Sequence, residues 1–163
     1  MPLLSPADND SGATASPAHA RTEFELTVRA PYSVAFRLFG PDSERSWAGA
    51  DWDPQCVYPS PGADIQGTVF TVKHGSHQAV WVNTAFDLEG HHIQYAYFIG
   101  DVMVTTIDLT FRPLDSADTK VAVVYERTAL SVAANEQVQQ FRAADRERGA
   151  DWEKAINAYL EKQ

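Results

Sequence analysis

The strongest constraint in this sequence is a change of hydrophobic period near residue 131. Between residues 52 and 131 apolar side chains recur at every second position. From 134 to 161 they recur every three or four, at Val138, Phe141, Trp152, Ile156, Tyr159 and Leu160. The first pattern is that of strands with one buried face, and the second that of a long amphipathic helix. Turn residues at 59–62, 75–76, 89–90, 100–101 and 115–118 divide the first stretch into strands over 53–58, 67–74, 77–88, 91–99, 102–112 and 119–130. These connections are too short for crossover helices, so sequential neighbours pair antiparallel. The chain therefore reads as an α+β domain: an antiparallel sheet followed by one helix that must bury its apolar stripe against it. Ser131 or Asn135 is placed to cap that helix, and Gly149 inside it costs about 1 kcal/mol relative to Ala. Such a glycine lets a strand or a ligand approach closely.

Upstream, Phe24, Leu26 and Val28 alternate with Glu23, Glu25, Thr27 and Arg29, which adds a seventh strand over 22–29. Pro31 opens a short helix carrying Val34, Phe36, Leu38 and Phe39, and Gly40-Pro41 ends it. A second short helix is expected over 41–48, with Glu44 and Trp47 on one side. Residues 1–21, rich in Ala, Ser, Pro, Asp and Gly, hold too little apolar surface to offset the entropy of ordering and are expected to form a disordered tail. The folded domain is then 22–163.

A formal charge of −9, from 13 basic and 22 acidic residues, with no Lys/Arg cluster, argues against nucleic acid and anionic membrane surfaces as partners. No window is apolar enough for a membrane span, and the N-terminus lacks the pattern of a signal peptide, so the expected location is the cytoplasm. Cys56 stands alone, which rules out an intrachain disulfide and leaves it a structural residue. His74 and His77 precede one strand while His91 and His92 follow it, about 30 Å apart at opposite ends of the sheet. Neither pair has a third ligand at a suitable spacing, so no metal is expected. No nucleophile elbow and no phosphate-binding glycine loop occurs, and no cofactor is implied.

Particular residues resemble the SRPBCC superfamily, which includes START-type lipid-transfer domains, plant pathogenesis-related allergens and polyketide cyclases. The carriers are Pro31 through Phe39, Glu44 with Trp47, Trp52-Asp-Pro54, Gly67-Thr-Val-Phe-Thr71, Trp81-Val82, Thr119 through Tyr125, Thr128-Ala-Leu-Ser131, and the helix end from Trp152 to Leu160. The resemblance covers about residues 22–161 and is closest to a bacterial branch. It implies a helix-grip fold, with about seven strands wrapped around the long C-terminal helix and two short helices after the first strand. Members range from ligand carriers to cyclases, dehydratases and co-chaperones, and no catalytic motif carries over residue by residue.

A curved sheet closed by one helix leaves a tapered space, and aromatic residues are available to line it. Trp81, Tyr95, Tyr97, Ile107, Leu109 and Tyr125 come from the strands, and Phe141, Trp152 and Tyr159 from the helix. Trp47 and Trp52 either close the wide end or seal the short helices onto the sheet. Of Glu126 and Arg127, adjacent in one strand, one must face inward as an orienting charge and the other outward. Asp108 falls on the outer side, opposite the set Met103, Ile107, Leu109 and Phe111. The expected ligand site comprises Trp81, Tyr95, Tyr97, Tyr125, Glu126, Arg127, Phe141 and Trp152, with a small lipophilic or aromatic molecule as partner and a carrier or sensor as function. Two alternatives stand beside it. One is a polyketide cyclase, aromatase or dehydratase whose acid–base pair comes from Glu126, Arg127 or a cavity Tyr. The other is a co-chaperone-like or homodimeric interaction module using Val102, Val104, Val121 and Val123 on the outer sheet face.

Overall fold

A computed structural model of the chain describes residues 15–163. Strand β1 (His19–Val28) leads into helix α1 (Tyr32–Ala35), which tightens into a 3-10 turn at Phe36–Leu38, and a second 3-10 turn follows at Ser43–Ser46. Strands β2 (Gln55–Tyr58), β3 (Val69–His74), β4 (His77–Asp87), β5 (His92–Ile99), β6 (Met103–Pro113) and β7 (Thr119–Ala129) come next. A short 3-10 turn then enters helix α2 (Asn135–Leu160). The seven strands form one antiparallel sheet in the order β1-β7-β6-β5-β4-β3-β2, so the first strand pairs with the last. The arrangement is the expected helix grip: an antiparallel sheet, two short helical segments after the first strand, and one long terminal helix.

The strand begins at His19, three residues ahead of its expected start at 22, so 19–21 belong to the sheet. The remainder of the expected tail, residues 1–14, lies outside the described residues. Asn135, expected as a cap, instead reaches across 117 residues to accept the Ala18 N–H at 2.6 Å, and its amide donates to the Ser16 carbonyl at 2.9 Å. Neither Ser131 nor Asn135 caps the helix with its side chain.

The inner face carries the odd-numbered residues of β5, β6 and β7 and the even-numbered ones of β1 and β3. In β4 the register shifts between Asn83 and Ala85, which leaves Thr84 bulged and returns Phe86 to the inner face against Phe36. Val121 and Val123 are therefore fully buried core rather than outer surface. Val102 lies in the turn before β6 and packs against the core, so of the four valines expected outside Val104 alone remains there, beside Phe98 and Val80 in register.

Helix α2 lies against β1 and part of β7. A Cβ built on Gly149 would come within 2.9 Å of the Phe24 ring, so the close approach permitted by this glycine is that of a strand residue. Glu153 accepts the Thr27 N–H, and Asn157 bonds both the Arg29 N–H and the Thr27 carbonyl. These side chains satisfy the free edge of β1, which would otherwise expose unpaired backbone. Among the described residues no helix is long and apolar enough to cross a membrane.

Candidate functional site: an aromatic cavity under the terminal helix

The helix crosses the sheet without filling the space beneath it. A cavity of about 620 Å³ remains, walled by Trp81, Tyr95, Tyr97, Ile107 and Tyr125 from the sheet and by Trp152 from α2. Trp47 and Trp52 complete it, so all four tryptophans of the chain line one space. The exposed residues Asp51, Asp53, Lys73 and Gly75 mark its mouth, between the 47–53 segment and the β3–β4 turn.

The aromatic wall is pre-organised. Trp81 stacks on Tyr97 with centroids 4.0 Å apart, and His74 lies parallel to Tyr97 at 5.6 Å. Trp47 donates its indole N–H to the Leu38 carbonyl at 2.6 Å and meets Trp152 edge-on at 5.7 Å. Trp52 donates to the Pro41 carbonyl and stands edge-on to Trp81 at 5.5 Å. The two readings of Trp47 and Trp52 are thus both met: their N–H groups fasten the short helical segments while their rings wall the cavity. The indole N–H of Trp81 and Nε2 of His74 are buried without a partner among the described residues.

Of the adjacent charged pair on β7, Arg127 points in and Glu126 points out. Glu126 joins Arg21 on the outer face at 2.8 Å, which corrects its inclusion in the ligand site. Arg127 is 1% exposed and forms a double hydrogen bond with Asp145 of α2 at 2.6 and 2.7 Å. Its remaining nitrogen donates to Tyr97 at 2.5 Å and Thr105 at 3.0 Å. Burial opposes this charge, but Asp145 and Tyr97 more than offset it, and the guanidinium pKa is raised. With its donors engaged in this way, Arg127 fastens helix to sheet and acts on the cavity from behind its wall, by holding Tyr97, lying 5.1 Å from the centre of the Tyr125 ring and setting its charge near His74. Phe141 covers Arg127, with its ring 4.7 Å from the guanidinium carbon, and faces a groove along α2 rather than the cavity. Leu109 and Tyr159 pack in or against the core and do not line the cavity. Asp108 is on the outer face, bonded to His92 and Gln94.

The sequence reading did not single out Glu44, His74 and Arg148 as cavity residues, and all three line it. Glu44 projects from the second 3-10 turn and is 7% exposed. Its Oε1 accepts the Tyr95 hydroxyl at 2.7 Å and the Gly40 N–H at 3.1 Å. Burial outweighs those bonds and lifts its carboxyl pKa to about 7. Burial together with Arg127 and Arg148 lowers the pKa of His74, so its ring is neutral near pH 7. Burial, and then Glu44, raise the Tyr95 pKa, so that hydroxyl keeps its proton. The three-residue spacing of Glu44 and Trp47 was the available signal for the first of these. Nothing in the sequence places His74 beside residues of β4 and β5 until the register of β3 is known.

No family model and no curated protein matches the chain. Solved structures do. Norcoclaurine synthase from Thalictrum flavum superposes with a TM-score of 0.69 at 13% identity, over 91% of this chain and 98% of that one. Ara h 8.0201 gives 0.61 at 17% identity, over 90% and 100%. The di-domain aromatase/cyclase BexL gives 0.61 at 14% identity, with 87% of this chain matching 46% of that one. At these identities the likeness is one of fold: the chain shares with them its helix grip, a seven-stranded antiparallel sheet with two short helical segments after the first strand and one long terminal helix.

Proposed function

We propose that this chain binds a small aromatic or lipophilic molecule in the cavity between sheet and terminal helix, as a carrier or sensor. The observation that carries the reading is a cavity of about 620 Å³ walled by all four tryptophans and three tyrosines. That volume lies within the range of small-molecule sites, which are mostly apolar with a few directing polar groups. Here those groups are Tyr95, Glu44, His74 and Arg148. One structure of norcoclaurine synthase holds dopamine and hydroxybenzaldehyde, aromatic molecules of a size this cavity admits. The cyclase or dehydratase alternative loses Glu126 to the outer face and Arg127 to Asp145; of its contenders the cavity tyrosines remain, and Glu44 joins them.

Native mass spectrometry of the purified protein, paired with displacement of the dye 8-anilinonaphthalene-1-sulfonate by a panel of aromatic and acyl compounds, tests the reading. A one-to-one complex and saturable displacement are the expected results. A protein that binds neither the dye nor any member of the panel contradicts it.

A further inference from the structure

Among the directing groups on the cavity wall, Glu44 makes hydrogen bonds that do not call for a carboxyl. A glutamine carbonyl would accept the Tyr95 hydroxyl and the Gly40 N–H equally well, without burying an ionisable group. Both of those bonds end on Oε1, and no described residue bonds Oε2. The Gly40 N–H also reaches the Tyr95 oxygen at 2.9 Å, so the three groups hold one another in place. No cation is paired with the carboxyl among the described residues. Arg45 turns away to Asp42, Asp53 and the Pro54 carbonyl, while Asp64 engages Ser43 and the Asp42 N–H behind the same turn. Asp51, Asp53, Lys73, His74 and Arg148 are the other charged or titratable groups on the lining besides the tyrosines.

A carboxyl fixed through one oxygen, uncommitted at the other and set on the wall of an aromatic cavity has the geometry of a general base. We propose that Glu44 exchanges a proton with an α-aryl ketone held in the cavity, so that the protein enolises carbonyl compounds of this class. The inference rests on the binding reading above. In the step, the α-carbon's C–H bond breaks and its proton passes to Oε2. The electron pair forms the carbon–carbon double bond of an enolate, whose charge settles on the former carbonyl oxygen. Return of the proton from Glu44 to carbon restores the carboxylate, so no co-reactant is consumed. The wall holds donors suited to that charge in the Arg148 guanidinium and in the Trp81 indole N–H, which has no partner among the described residues.

The probe is 2-tetralone, a bicyclic α-aryl ketone whose C1 hydrogens lie between the ring and the carbonyl and are acidic. Its binding is read by quenching of the cavity tryptophans, and its α-hydrogen exchange in deuterated buffer by proton NMR. The wild-type protein is expected to accelerate exchange about 100-fold over buffer, the lower end of general-base effects. The rate should rise through a midpoint near neutrality as Glu44 ionises. Glu44→Gln should bind the ketone and exchange it at the buffer rate, and Glu44→Asp, which keeps a shorter carboxyl, should retain part of the acceleration. Tyr95→Phe should move the midpoint to higher pH, because the lost hydrogen bond favours the carboxylate. Quenching without acceleration in the wild type, or acceleration that survives in Glu44→Gln, overturns the proposal and leaves the binding reading intact. Absence of quenching by 2-tetralone and by the wider panel overturns both.

Discussion

Glu126 and Arg127 show what a single residue's side of a strand decides. Alternation requires one to face the core, and Arg127 shares its parity with Val121, Val123 and Tyr125, all buried. The sequence hides this because Ala122 and Val124 are also apolar, so both faces of β7 look buried; Lys120, on the outer parity, was the discriminating residue. Glu44 poses the opposite problem, since its spacing from Trp47 is the one sign that tertiary packing will bury a carboxylate in a polar-looking turn. Its stability consequence has a definite sign. The carboxyl pKa rises from 4.5 in the unfolded chain to about 7 in the fold, so the native state holds the proton more tightly. The stability this contributes is present at low pH and is lost as pH climbs through the window between those values. Glu44→Gln removes that dependence. Chemical denaturation at pH 4 and pH 8 should show the variant gaining about 3 kcal/mol on the wild type between the two conditions. An unchanged difference would mean that the carboxyl titrates alike in the native and unfolded states.

At the scale of elements, the periods of two and of 3.6 were enough to read the seven strands and the long helix. How the helix docks was not legible, because its attachments join residues far apart in sequence. Asn135 reaches Ala18, Asn157 reaches Thr27 and Arg29, and Asp145 reaches Arg127. Asp145 reads as an ordinary solvated helix residue, yet it is completely buried. Breaking this ion pair by removing Arg127 leaves the buried Asp145 carboxylate without its two-pronged partner and with Arg148 alone, at 3.0 Å, to answer its charge. Arg127→Met is therefore expected to cost about 3–5 kcal/mol in urea denaturation, and the double variant Arg127→Met with Asp145→Leu much less. Equal losses in the two would show that the pair is not what fastens α2. Gly149→Ala gains about 1 kcal/mol of helix propensity but drives a methyl group into the Phe24 ring, where overpacking costs about 1–3 kcal/mol. A lower melting temperature is expected, recovered when Phe24 is shortened to leucine.

For the whole molecule, the fold was legible because strand alternation, turn chemistry and the terminal helix agree with one another and with the family-like residues around Trp47, Trp81 and Trp152. The cavity was legible only as an expectation, since its existence depends on the separation between helix and sheet, which sequence does not encode position by position. Its membership was therefore mixed. Trp81, Tyr95, Tyr97, Tyr125 and Trp152 line it, while Glu126, Arg127 and Phe141 do not. The gathering of every tryptophan around one hollow makes the central claim directly measurable by nitrogen–proton NMR, with a separate indole signal for each of the four rings. On titration with 2-naphthol, the four signals are predicted to move together and saturate with a single dissociation constant. Indole signals that stay fixed while the naphthol perturbs the outer face around Val80, Phe98 and Val104, or perturbs nothing, would contradict a ligand site beneath the helix.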